Sequence, residues 1–285
     1  MTISKLAAFA ILTVSLLQTA CASERIFDVA ARRYVTREAM LARVNASDDV
    51  VVGEKHDTKT IQDAEARLFR DFANGRRSRV SFAWEFWNWS DRAALVANYA
   101  RFRTGEISGE GFLRAVFGEK NPELTYLPLM NAVKEFGADV IATNLTREEK
   151  APVVKSGIDA LDPKLLPPGF ALGGADYFER FSAEMGADGH ASPDQIRNYF
   201  AAQSLVDDVV AYHFVEHRHT PSAFLVIGNF HTRFRDGAFR RIMARSSDRA
   251  RLLVEIADPE DETSWEAVLH HPKYGDLADF VIFTR

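Results

Sequence analysis

The chain of 285 residues has a single cysteine, Cys21. No intramolecular disulfide can form, and a chain of this length buries a core large enough to need no such staple. Long hydrophobic runs are also missing. The longest, Leu6 to Leu17, falls short of the roughly 20 residues that cross a bilayer. Positive charge is not in excess: 35 Lys and Arg face 40 Asp and Glu, a net charge of -5. That balance excludes nucleic acid as the main partner, although Arg233, Arg235, Arg240 and Arg241 form a local basic stretch. No internal repeat is apparent. What remains, 47% hydrophobic and 26% charged, is the composition of an ordinary globular protein.

The first 22 residues differ from the rest. Lys5 precedes the apolar run, and Thr19-Ala20-Cys21-Ala22 follows it, which is the pattern of a secretory signal. Ala20-Cys21-Ala22 fits cleavage to a soluble product starting at Ser23. Leu17-Gln18-Thr19-Ala20-Cys21 fits the lipobox of a lipoprotein in all but Gln18, with Cys21 as the acylated residue. The placement of the only cysteine in this window favours the lipoprotein. Cleavage before Cys21 removes Lys5 and no acid, so the net charge becomes -5 - 1 = -6. The expectation is a signal peptide over 1–22 and one domain over 23–285. Its place is the cell envelope, anchored to a membrane as a lipoprotein or otherwise in the periplasm.

Six short apolar runs read as buried strands: Val50 to Gly53, Val80 to Phe86, Asp139 to Thr143, Ala223 to Gly228, Arg251 to Ile256 and Asp279 to Phe283. Most are continuous rather than alternating, and the first four precede helical patterns. This is the signature of a mainly parallel sheet with helices on both faces. Helices are expected over Asp57 to Ala73, Ser90 to Thr104 and Pro193 to His217. Residues 150–192 contain Pro152, Pro163, Pro167, Pro168, Gly169, Gly173 and Gly174, and read as an irregular excursion forming a helical cap or lid. The fold class is α/β.

In such sheets ligands collect beyond the carboxyl ends of the strands. The first strand ends in Gly53-Glu54-Lys55-His56, and the fourth in Gly228-Asn229-Phe230-His231 with Arg233 beyond. Two strands thus share a Gly-x-x-His step. Between them Glu85 interrupts an apolar run, where desolvation favours the protonated acid unless a cation compensates. Glu54, His56, Glu85, His231 and Arg233 are expected to cluster at one sheet edge. Asn144 and Arg147 follow the third strand, and Gln203 and Asp207 share a helix face.

His213-Phe214-Val215-Glu216-His217 matches the H-x-x-E-H pattern of inverted zinc peptidases. It lies at the end of a helix, where imidazolium ions favour the macrodipole, and no third ligand is evident downstream. The expectation is a helix terminus rather than a zinc peptidase.

Taken in order, Gly53-Glu54-x-His56-Asp57, Trp84-Glu85, Asn144-x-x-Arg147, Ala202-Gln203-x-x-x-Asp207 and Gly228-x-x-His231 resemble the ChaN-type haem-binding lipoproteins, as does the closing Ala278 to Thr284. The resemblance spans about residues 45–285. The family is similar to the erythromycin esterases and the Tiki/TraB proteins. Val206 departs from it, standing where an aromatic residue is expected. The resemblance implies an outer-membrane lipoprotein of iron uptake, binding haem as a cofacial pair in a homodimer, with an outer-membrane haem receptor as a further partner. It implies a tyrosine ligand from one subunit helped by histidine from the other. Tyr126, Tyr177 and Tyr212 are the candidates, and Glu54, His56, Glu85, Asn144, Arg147, Gln203, Asp207, His231 and Arg233 would line the site. An apolar slot would come from Phe82, Trp84, Phe86, Trp87 and Phe230.

Two alternatives stay open. One is a hydrolase in which Glu54 or His56 acts as base on water, with Glu85, His56 and His231 around a divalent metal or a water and Arg233 stabilising negative charge. The other is a scaffolding lipoprotein with a vestigial pocket.

Overall fold

The computed structural model describes residues 24–118, 123–186, 191–258 and 268–284. The strands are β1 (Arg25–Asp28), β2 (Arg33–Val35), β3 (Asp49–Glu54), β4 (Ser81–Asn88), β5 (Asp139–Asn144), β6 (Ala223–Gly228), β7 (Arg251–Ala257), β8 (His270–His271), β9 (Gly275–Asp276) and β10 (Phe280–Phe283). The helices are α1 (Arg37–Ala46), α2 (Lys59–Asn74), α3 (Arg92–Thr104), α4 (Gly109–Phe117), α5 (Leu127–Glu135), α6 (Arg147–Ser156), α7 (Ala175–Gly186), α8 (Pro193–Glu216) and α9 (Gly237–Arg245).

Eight strands form one sheet in the order β2-β1-β10-β7-β3-β6-β4-β5. From β10 to β5 every pairing is parallel. The hairpin β1–β2 closes one edge antiparallel, with Arg25 opposite Phe283. Every residue of β3 and β6 is buried, as continuous apolar strands covered on both faces must be. One face packs Phe69 and Phe72 of α2 against Phe82, Trp84 and Phe224. The other packs Val210 and Phe214 of α8 and Ile242 of α9 against Leu225, Ile227 and Leu253. The expected α/β architecture is the observed one.

Local chemistry sets the element ends. Ser192 accepts from the Gln195 N–H while the Gln195 side chain accepts from Ser192 N–H, a capping box that starts the 24-residue α8. Thr146 and Glu149 do the same for α6. Pro152, expected to break any long element, lies inside α6; that helix ends at Gly157, whose φ of 84° favours glycine. The rest of the excursion is two 3-10 turns followed by α7, which lies on α8 through Tyr177 and Phe181 against Phe200. It does form a cap. At the amino edge of the sheet, Asp49 is fully buried and pairs with Arg218 at 2.8 Å and with Arg249 and Arg251 at 3.2 Å.

Candidate functional site

Three strand ends build the site. Glu54, the last residue of β3, has a buried carboxylate that accepts from Gln62 Nε2 at 2.6 Å and from the Tyr126 hydroxyl at 2.8 Å. His56 follows, its Nδ1 3.1 Å from Glu54 Oε1 and its ring 5.0 Å from that of Phe86. The His56 side chain is 40% exposed, the most open of the cluster. Burial lowers its pKa, but the Glu54 hydrogen bond and the Glu85 charge more than offset this, and the net shift is upward. Beneath them Glu65 is completely buried. Burial, the charge of Glu54 and a hydrogen bond to it raise its pKa well above the ordinary carboxylate range.

Glu85 reaches the crevice because β4 bulges. Trp84 pairs with Ala142 and Asn88 with Asn144, leaving three residues of β4 opposite one of β5. Asn144 closes the bulge by donating from Nδ2 to the Glu85 carbonyl at 2.9 Å. The Glu85 carboxylate accepts from Gly228 N–H at 2.6 Å, and His231 Nε2 and His56 Nε2 lie 3.5 and 3.7 Å away. Gly228 matters for what it lacks: a Cβ there would stand 3.0 Å from His56 Nε2 and 3.2 Å from Glu85 Oε2. Its absence opens the space on β6 in which these two groups, carried by β3 and β4, approach each other.

His231 completes the row, with Nδ1 2.6 Å from Asp207 Oδ1 on α8. Asp207 also accepts from the Tyr177 hydroxyl at 3.0 Å, and Gln203 donates to that hydroxyl at 3.1 Å. Burial alone would lower the His231 pKa. The carboxylates of Glu85 and Asp207 override it and push it up to about 10. Burial would raise the Glu85 pKa; the His231 charge and its hydrogen bond, with help from His56 and Gly228 N–H, lower it to about 2. The compensating cation required by a buried Glu85 is therefore His231. The row Glu54, His56, Glu85, His231, Asp207 alternates acid and base. Between two carboxylates, the His231 ring is placed to donate hydrogen bonds to Asp207 and Glu85.

The structure thus brings together Glu54, His56, Glu85, Gln203, Asp207 and His231, with Asn144 holding the Glu85 backbone. Arg147 stands apart, exposed in the first turn of α6. Arg233 lies near Glu255, whose pKa is pushed up to about 8 by burial, against the opposing pull of Thr232 and Arg233. Gln62, Glu65, Thr232 and Glu255 escaped the sequence reading. Glu255 was visible as a lone acid in Leu252-Leu253-Val254-Glu255-Ile256, the same signal that marked Glu85. Gln62 and Glu65 share a face of the helix that follows Glu54.

The aromatic slot is not where the sequence suggested. Phe82, Trp84 and Trp87 are core residues at 0–2% exposure. Only Phe86 and Phe230 reach toward the site. A cavity of about 320 Å³ opens past Phe230 instead, walled by Phe181, Phe230, Phe234, Val268, His271 and Tyr274, with Arg180, Arg233, Glu179 and Glu184 among its lining residues. Tyr274 stacks on His271 at 4.2 Å and 14°. Of the tyrosines considered, Tyr126 and Tyr177 spend their hydroxyls on Glu54 and Asp207, and Tyr212 lies on α8 beside His213.

His213 and His217 end α8 with Nδ1 atoms 3.3 Å apart. They are neutral, not helix-terminal cations: burial, each other's charge and Arg92 bring His213 down to about 3, and burial lowers His217 as well. Among the described residues, no group of three or more His, Cys, Asp or Glu is placed to hold a metal ion.

Comparison with known proteins places these features in a family. The solved structure described as cofacial heme binding to ChaN of Campylobacter jejuni is similar with a TM-score of 0.72 and 16% identity, over 92% of this chain and 97% of that one. A structure of the type III effector HopBA1 is similar at a TM-score of 0.40 and 11% identity, over 86% and 91%. No curated protein matches the chain. Residues 40–242, a span that contains Glu54, His56, Glu85, Asp207 and His231, match the family described as haem-binding uptake, Tiki superfamily, ChaN, and the chain belongs to that family.

Proposed function

We propose that this protein binds haem in the cavity lined by Phe230, His271 and Tyr274 and serves haem or iron uptake as an exported lipoprotein acylated at Cys21. Family membership supports the ligand, and one feature of the structure carries the location. The cavity of Phe181, Phe230, Phe234, His271 and Tyr274 has aromatic walls, two side chains able to ligate iron, and Arg180 and Arg233 for acidic groups beside Glu179 and Glu184. Those are the demands of a flat apolar macrocycle with carboxylate tails. At about 320 Å³ it accommodates only part of a porphyrin. The remainder needs cover, which a second copy of the chain would give, in keeping with a homodimer that delivers to or receives from an outer-membrane haem receptor. His271 and Tyr274 would hold the iron, Tyr274 by giving up the hydrogen bond that its hydroxyl donates to Glu179 at 2.8 Å.

A hemin titration followed at the Soret band tests this. Tyr274→Phe and His271→Ala should each shift or weaken the band, whereas Tyr126→Phe should leave it unchanged. An unaltered titration in the Tyr274→Phe/His271→Ala double variant would remove the cavity from the proposal.

The alternating row of acids and bases favours a second reading, a hydrolase. His56 is its exposed member and the natural base on water, with Glu54 orienting it and a divalent metal or Arg233 countering developing charge. Activated-ester hydrolysis lost in His56→Ala, with hemin binding intact, would establish it.

A further inference from the structure

The last turn of α8 carries a pair of imidazoles unused by the haem reading. His213 and His217 are one helical turn apart on the same face, and their Nδ1 atoms are 3.3 Å apart. Two nitrogens each about 2.05 Å from one tetrahedral ion are separated by about 3.3 Å. The Trp89 ring fixes this arrangement, its centroid 4.0 Å from each imidazole, stacked on His213 at 16° and tilted against His217. Both histidines line a cavity of about 370 Å³ with Trp89, Leu165, Pro167 and Tyr212, so ligands besides the two rings have room to approach.

We propose that His213 and His217 chelate one divalent transition ion of the kind that prefers imidazole, Zn2+, Ni2+ or Cu2+, with water completing its coordination in the cavity. The site is built for binding alone. Glu216, the base in a peptidase of this pattern, is exposed on the helix surface. The opposing elements are Arg92, whose guanidinium lies 4.4 Å over the Trp89 ring, and Lys164, which lines the same cavity opposite Glu149 in charge; their charges disfavour a cation nearby and select for ions that bond covalently to nitrogen over hard ones such as Mg2+.

Trp89 is a built-in reporter. Titration of the untagged protein with Cu2+ should quench part of its tryptophan fluorescence saturably at one ion per chain, while Mg2+ should not. His213→Asn and His217→Asn should each weaken binding roughly tenfold or more, the scale on which even outer-shell partners of metal sites act. Trp89→Phe should abolish the saturable quench while calorimetry still finds the bound ion. Circular dichroism identifies any variant that has lost its fold, and an unchanged hemin titration in the histidine variants separates this site from the haem cavity. Absence of saturable binding, or binding of equal strength in a folded His213→Asn/His217→Asn variant, overturns the proposal: the 3.3 Å contact is then only a hydrogen bond between two imidazoles.

Discussion

His231 Nδ1 lies 2.6 Å from Asp207 Oδ1, a contact that ties the turn after β6 to the middle of α8 across the carboxyl edge of the sheet. Neither partner has water to fall back on: Asp207 is fully buried and the His231 side chain is 10% exposed. With Glu85 on the other side of the ring, one imidazolium serves two carboxylates.

This arrangement fixes a pH dependence. The His231 pKa is raised from 6.5 to about 10, so its contribution is complete below about pH 6.5 and is lost as pH rises through 10. The Glu85 pKa is lowered from 4.5 to about 2, so its contribution is complete above about 4.5 and is lost as pH falls toward 2. Both are at full strength between about 4.5 and 6.5. Thermal melts across pH should show the Asp207→Asn variant losing stability at a lower pH on the alkaline side than the unmodified protein. An unmoved alkaline limb would mean that Asp207 does not hold the His231 proton.

Glu255 should behave in the opposite sense to Glu85. Its pKa rises from 4.5 to about 8, so the folded state favours the neutral acid and stability declines as pH climbs from about 4.5 through 8. Glu255→Gln keeps a neutral group beside Thr232. It should match the unmodified protein near pH 4 and exceed it at pH 9, by an amount on the order of a few kcal/mol. Chemical denaturation at the two pH values is the measurement.

Gly237→Ala should be costly. Gly237 has φ of +55°, and a Cβ there would overlap the His231 carbonyl oxygen and stand 3.0 Å from Asp207 Oδ1. Strain and collision together should cost about 2 kcal/mol or more, and the hemin Soret band should change with it. Gly105→Ala, at φ +81° with nothing within 4 Å, is the control for strain alone.

Stability and ligand binding should separate along β3, whose two ends carry Asp49 and Glu54. Asp49→Ala strands buried Arg251 and the paired Arg218, at roughly 3–5 kcal/mol. The surviving folded protein should still bind hemin with unchanged affinity. Loss of affinity there would show that the amino edge of the sheet is coupled to the site.

The six central strands were legible because buried parallel strands have to be continuous apolar runs, and Glu54, His56, Glu85 and His231 because each is a polar residue at or near the end of such a run. Asp207 and Gln203 came from helical spacing. The β1–β2 hairpin was not legible: its strands are short and half-exposed, with no periodicity to read. Nor was the aromatic cavity, since Phe181 and Tyr274 meet only after the cap and the β8–β9 turn have packed. The bulge that presents Glu85 left no mark in the sequence either, as it arises from pairing with β5.

The antiparallel register of β1 sets how near the start of the domain lies to the site. Because Arg25 sits opposite Phe283, the chain enters the sheet at the same edge on which β3, β4 and β6 end. From Cys21 to Arg25 the backbone reaches at most about 14 Å. With Cys21 acylated as proposed, the carboxyl edge of the sheet could stand no farther than that from the lipid attachment point, so the site would work close to the membrane surface whichever way it faced.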